Sequence, residues 1–244
     1  MYLSEPKNFY LFAGSVIPKL LWLASGLLIA CVVWMFGFSS TTAIGTADIY
    51  WVFYAHLAAS VVSVGSFFML ALMSLLMILR KDSTLVASLT MAIAPTGILM
   101  TVFAIGAGAL FGRTLWGVYW VWDLRLTGLL IQMLLFFAFI TIANTPGISF
   151  QRQNDVRAGW VAILGAVLLP GAYFGFDFVT PMQHDLGNSL GRSSGQDAPI
   201  LIAMMMAMFV MYTTAMILAR TRTVILEREH RAVWAQEDAL EGVL

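Results

Sequence analysis

Apolar positions in this chain neither alternate nor recur once per turn; they run on. Six stretches are apolar for about the 20 residues that a bilayer crossing requires. They fall at roughly Leu20–Phe38, Phe53–Leu79, Leu85–Leu110, Leu126–Ile142, Trp160–Phe176 and Ile200–Ala219. In hydrocarbon every backbone N–H and C=O must be satisfied, and a helix does this within a single segment. The pattern predicts an all-α, polytopic membrane protein with six transmembrane helices. Pro95 and Pro170 fall inside the third and fifth stretches, where proline removes a donor and crowds the preceding turn. Both predict packing kinks. The first run is long and no convincing small-residue cleavage site follows it, so it is expected to remain as a span.

Basic residues orient this plan, because cytoplasmic segments carry the excess of lysine and arginine. One side holds Lys7, Lys19, Arg80, Lys81, Arg152, Arg157, Arg220, Arg222, Arg228 and Arg231; the other holds Arg113, Arg125 and Arg192. Both termini are therefore expected in the cytoplasm. The outer loops are then about Ser39–Val52, Phe111–Arg125 and Asp177–Pro199. The organisation expected is a membrane domain over 1–219, with a tryptophan-rich outer loop at 111–125, and a charged cytoplasmic tail over 220–244 emerging into water as a helix.

Composition removes other classes. The chain is 60% hydrophobic and 11% charged over 244 residues, too oily for a soluble enzyme, a disulfide scaffold or a disordered chain. Thirteen basic residues balance thirteen acidic ones, so nothing offers a polycation to nucleic acid. Cys31 is the single cysteine, which rules out an intrachain disulfide, a CxxC pair and a cysteine-rich metal site. There is no phosphate-binding P-loop and no dinucleotide fingerprint.

The candidate chemistry lies on the outer side. Of three histidines, His230 sits in the charged tail and reads as solvated. His56 falls near the outer end of the second span and His184 in the third outer loop. An imidazole near the membrane core needs a hydrogen bond or a metal. Two of them on one side suit the axial positions of a haem iron; equally, His56 could bond to a neighbouring helix and His184 be an ordinary loop residue. The second outer loop adds weight to the first reading. It places Trp116, Trp120 and Trp122 within seven positions, beside Tyr119. Trp116 and Trp120 share a face if the loop is helical, and all three tryptophans do if it is extended. Either form presents a flat aromatic surface, although tryptophans also populate ordinary interfacial belts. Asp123 and Arg125 close the loop, where a short salt bridge is one reading. Arg113, Arg125 or Arg192 could instead meet haem propionates, since guanidinium forks match carboxylates. The five outer acids, Asp48, Asp123, Asp177, Asp185 and Asp197, outnumber these three arginines, so any such contact is local.

The run Trp116-Gly-Val-Tyr-Trp-Val-Trp-Asp-Leu-Arg-Leu-Thr127 resembles the tryptophan-rich signature of the CcmC family of cytochrome c maturation proteins. Ala94-Pro95-Thr96-Gly97 and Gly112-Arg113-Thr114-Leu115 resemble it too. Tyr119 stands where the family has a tryptophan, His56 lacks the family's following Val-Pro, and Gln183-His184-Asp185 replaces Leu-His-Gln. The resemblance covers nearly the whole chain except the tail. It implies a carrier and not an enzyme, multi-pass in a bacterial inner membrane. It implies haem b, transiently held by His56 and His184 as axial ligands. The loop residues Trp116, Tyr119, Trp120, Trp122, Asp123 and Arg125 would hold or present the haem. The partners it implies are the periplasmic haem chaperone CcmE, the ABC transporter components CcmA and CcmB, and the small membrane protein CcmD. Two rivals are a haem-containing electron-transfer subunit and a structural assembly subunit with no cofactor.

Overall fold

The computed structural model describes residues 5–37, 50–81, 83–145, 151–174, 198–230 and 232–236. Its long helices are α1 Pro6–Gly37, α2 Tyr50–Leu79, α3 Thr84–Trp116, α4 Leu124–Ala143, α5 Gln151–Phe174 and α6 Ala198–Arg228. The described chain is all-α. Among its residues, five helices (α1, α2, α3, α4 and α6) are long and apolar enough to cross a membrane. The expected fifth span begins within α5 and ends beyond the described residues. Arg152, Asn154, Asp155 and Arg157 make the start of α5 polar, so its apolar part begins only at Ala158. It still packs along α4 and α2.

The helices α1, α2, α3 and α6 are longer than the bilayer core. With 32 and 31 residues, α1 and α6 are about 48 and 46 Å long at 1.5 Å per residue, against a core of about 30 Å. The stretches expected at Leu20–Phe38 and Ile200–Ala219 are thus parts of longer rods. The helix of α1 opens at Pro6, which suits a first turn because its missing N–H would have no partner there. Glu5 accepts from the Phe9 N–H at 3.1 Å and from Asn8 Nδ2 at 2.9 Å. The extension of α1 then lies against that of α6. Arg222 Cζ stands 4.0 Å above the Tyr10 ring, and Trp234 lies 5.8 Å from the same ring. The segment from 220 was expected to emerge into water. As far as Arg228 it is helical, as expected, and continues α6; the Arg228 guanidinium donates to both carboxylate oxygens of the buried Asp155 at 2.9 and 3.1 Å.

At the centre, α2 and α3 form a hairpin, and the Ser83 hydroxyl caps α3 by accepting from the Val86 N–H. Around it, α4 and α5 pair on one side, while α6 lies against α2 and α3 on the other. The packing of α1 is chiefly against α6. Of the most apolar window of each, 61% is buried in α3 and only 11% in α1. Pro95 and Pro170 both sit inside their helices, which run through them.

Two apolar clusters make the core. One joins Cys31, Tyr54, Ala58, Ala104, Leu201 and Phe209. It thereby gathers the end of α1, the start of α2, the end of α3 and the start of α6 at one pole of the bundle. Alanines at the α2–α3 contact let the backbones approach closely, which is where packing energy between membrane helices comes from. The second cluster centres on Phe67 and Phe136, edge-on at 4.9 Å. Between the helices carrying these clusters lies a buried polar knot. Thr101 donates to Gly97 O at 2.7 Å, Ser63 lies 2.6 Å from Thr101 Oγ1, and Gln132 Nε2 donates to Ser63 Oγ at 2.7 Å. All three side chains are fully buried.

Candidate functional site

The pole where α2 begins and α3 ends carries His56 and the tryptophan loop. His56 lies six residues into α2, about 9 Å along its axis. Its Nδ1 donates to the carbonyl of Ala104 on α3 at 2.8 Å. The imidazole rests over Gly108, where a Cβ would come within 2.7 Å of its Cε1. The interhelical hydrogen bond anticipated as one reading of His56 is therefore present. It engages a single ring nitrogen, so it is compatible with the other reading as well. One turn further out, Phe53 and Phe111 continue the α2–α3 contact with ring centroids 4.9 Å apart.

The tryptophan loop follows directly. Gly117 ends α3 in the left-handed region at φ 73°, and its N–H donates to Arg113 O at 3.1 Å. Glycine alone adopts that conformation without a steric cost. The side chain of Trp116 folds back on Gly112, where a Cβ would sit 3.0 Å from the indole. Beyond the turn the chain runs without helix from 120 to 123. Of the two forms left open, neither extends over the whole loop: Trp116 belongs to α3, while Trp120 and Trp122 contact each other edge to face at 5.5 Å. Trp122 is 77% exposed and Tyr119 59%. The Trp120 Nε1 is buried with no hydrogen-bond partner among the described residues, a donor that is costly to leave unpaired.

Asp123 caps α4, accepting from the Leu126 N–H at 2.7 Å, and so fixes where the loop ends. Arg125 is exposed in the first turn of that helix. Arg113 stands over the Tyr119 ring with Cζ 5.5 Å from its centroid. Arg113 thus lies against the aromatic loop. His184, Arg192 and the rest of the third outer loop lie outside the described residues. The flanking helix ends, the C-terminus of α5 and the N-terminus of α6, belong to the same pole as His56.

Sequence reasoning missed several participants. Ala104 contributes a backbone carbonyl and Gly108 the lack of a side chain; neither has a chemical signature, although glycine inside an apolar helix marks close approach. Gln132, in the middle of the fourth apolar stretch, was a legible signal for the buried knot.

An exposed aromatic loop and a hydrogen-bonded imidazole share one pole of a multi-span helical bundle, and the fold defines a polytopic membrane protein. Residues 1–236 match the model of the CcmC family, described as Heme exporter protein C, and the chain belongs to that family. Relatives named Heme exporter protein C include those of Paracoccus denitrificans, 26% identical over 241 residues, covering 96% of this chain and 97% of the relative. The Escherichia coli K12 relative is 26% identical over 238 residues, covering 96% and 94%, and that of Rhodobacter capsulatus 27% over 245 residues, covering 96% of each. Membership makes this a haem-handling protein of cytochrome c biogenesis, multi-pass in the bacterial inner membrane and not an enzyme.

Proposed function

We propose that the protein holds haem b at the periplasmic face of the inner membrane and delivers it to the haem chaperone CcmE during c-type cytochrome maturation. In this reading α5 makes the sixth crossing and both termini are cytoplasmic. Support comes from charge: Arg80, Lys81, Arg152, Arg157, Arg220 and Arg228 all belong to the pole opposite the tryptophan loop. The haem-handling unit is residues 1–219, and 220–244 form the cytoplasmic tail. CcmA, CcmB and CcmD are the proposed membrane partners.

Haem iron, when bound, supplies two axial positions that imidazole nitrogens fill. His56 and His184 are the proposed ligands. Trp116, Tyr119, Trp120 and Trp122 offer aromatic surface and keep water from it. Asp123 positions them by fixing the start of α4. Arg113 and Arg125 offer guanidinium groups to carboxylates. Two ligands of one kind suit delivery, because one can be exchanged for a partner's group before the other lets go.

The observation that carries this reading is the His56 imidazole, anchored to α3 at the same pole as the tryptophan loop. The test is His56→Ala and His184→Ala separately, each purified in detergent and titrated with hemin. Each variant is expected to lose the six-coordinate absorption spectrum. Wild-type spectra from both would remove the ligand assignment.

A further inference from the structure

Two residues of α3 with no side-chain chemistry of their own decide how the His56 ring faces. Building on the reading of His56 as a haem ligand, we infer that the Ala104 carbonyl and the bare backbone at Gly108 form a seat for the imidazole, and that this seat selects Nε2 as the ligating nitrogen. A carbonyl oxygen only accepts. The 2.8 Å contact to Nδ1 therefore requires the proton on Nδ1, and a neutral imidazole then keeps its lone pair on Nε2. Ligating histidines commonly bond their second nitrogen to a backbone carbonyl, which fixes both tautomer and ring direction.

Gly108 makes that contact possible. It lies one turn after Ala104, and the Cα–Cβ bond of a helical residue tilts toward the helix N-terminus. A methyl group at 108 would thus lean back toward the Ala104 turn, into the space the ring occupies. It would stand 2.7 Å from Cε1, 2.8 Å from Nδ1 and 3.5 Å from Nε2. The first two separations are shorter than real side chains tolerate, so the ring must shift from its place, which disturbs its bond to Ala104. Gly106, on the same helix, faces open space with nothing within 4 Å of a built Cβ. Gly106→Ala is therefore a matched control for the effect of replacing glycine in this helix.

The full-length protein, reconstituted without haem and labelled with ring-15N histidine, reports the tautomer directly by solid-state NMR at mildly alkaline pH. His56 is assigned by the signals that vanish in His56→Asn. The expected result is a protonated Nδ1 and a bare Nε2. Gly108→Ala is expected to mix the tautomers and to weaken hemin binding about tenfold or more, as loss of an orienting partner does, with a change in the six-coordinate spectrum. Gly106→Ala is expected to match the wild type in both readouts. A wild-type ring protonated on Nε2 would overturn the seat, and so would a Gly108→Ala protein that equals the wild type. Displaced ring signals with unaltered hemin binding would overturn the selection of Nε2. If Gly108→Ala does not fold, the wild-type tautomer decides alone. A His56→Ala protein with an unchanged hemin spectrum would remove the ligand reading, while the NMR result would still judge the seat.

Discussion

The buried knot of Ser63, Thr101 and Gln132 predicts an order of mutational cost. The Thr101 hydroxyl proton goes to Gly97 O, so the Ser63 hydroxyl must donate to Thr101 and accept from Gln132 Nε2. The chain of bonds has a direction, Gln132 to Ser63 to Thr101 to Gly97. Thr101→Val keeps the volume but takes away the acceptor of the Ser63 proton. An orphaned buried donor costs about 1–3 kcal/mol. Gln132→Leu removes the terminal donor and leaves the Ser63 proton with its acceptor. Gln132 Nε2 also reaches Thr101 Oγ1 at 3.3 Å, so the cost should be that of one short and one long interhelical hydrogen bond, about 0.6–1.7 kcal/mol. The assay is reversible unfolding in mixed micelles of increasing SDS content, followed by circular dichroism. A double-mutant cycle of Ser63→Ala with Gln132→Leu should return a coupling of about 0.6–1.7 kcal/mol. If Gln132→Leu cost more than Thr101→Val, or if the coupling were zero, the proposed direction of the knot would be wrong.

Three further outcomes follow from geometry. Asp155→Ala leaves the Arg228 guanidinium without its carboxylate; because Arg228 keeps 20% of its side-chain exposure, the loss should be about 2–3 kcal/mol, below the usual range for a fully buried pair. A change under about 0.5 kcal/mol in the same unfolding assay would contradict this. Gly117→Ala must hold alanine at φ 73°, which should cost about 1–2 kcal/mol and shift the tryptophan emission of the loop; an unchanged emission and stability would refute it. Trp122→Ala, at a position 77% exposed, should alter stability by less than about 0.5 kcal/mol yet weaken hemin binding severalfold in titration.

The bundle was legible wherever the solvent does the selecting. Hydrocarbon enforces helix, so apolar length alone marks α2, α3 and α4 to within a few residues. Helix ends were not legible where packing takes over from solvent. Nothing in the polarity of Tyr10, Arg222 or Trp234 says that they stack on one another and prolong α1 and α6 beyond the bilayer. The same holds for Asp155 and Arg228, which read as separate cytoplasmic charges and form one ion pair. At the proposed site, side chains with distinctive chemistry were readable: His56 and the tryptophans stand out by type and spacing. The parts made of backbone were not, because the Ala104 carbonyl and the space at Gly108 are properties of a contact between helices. That Arg113 stands over Tyr119 is likewise a product of the turn at Gly117 and not of spacing.

The pairing of α1 chiefly with α6 has a consequence for biosynthesis. A ribosome adding about 5–20 residues per second finishes α6 many seconds after α1 has entered the bilayer, whereas α2 and α3 meet almost as soon as they are made. The first-made helix therefore waits among lipids for the last. Chains stalled before α6 should leave α1 loosely attached, open to quality-control proteases that survey unassembled membrane segments.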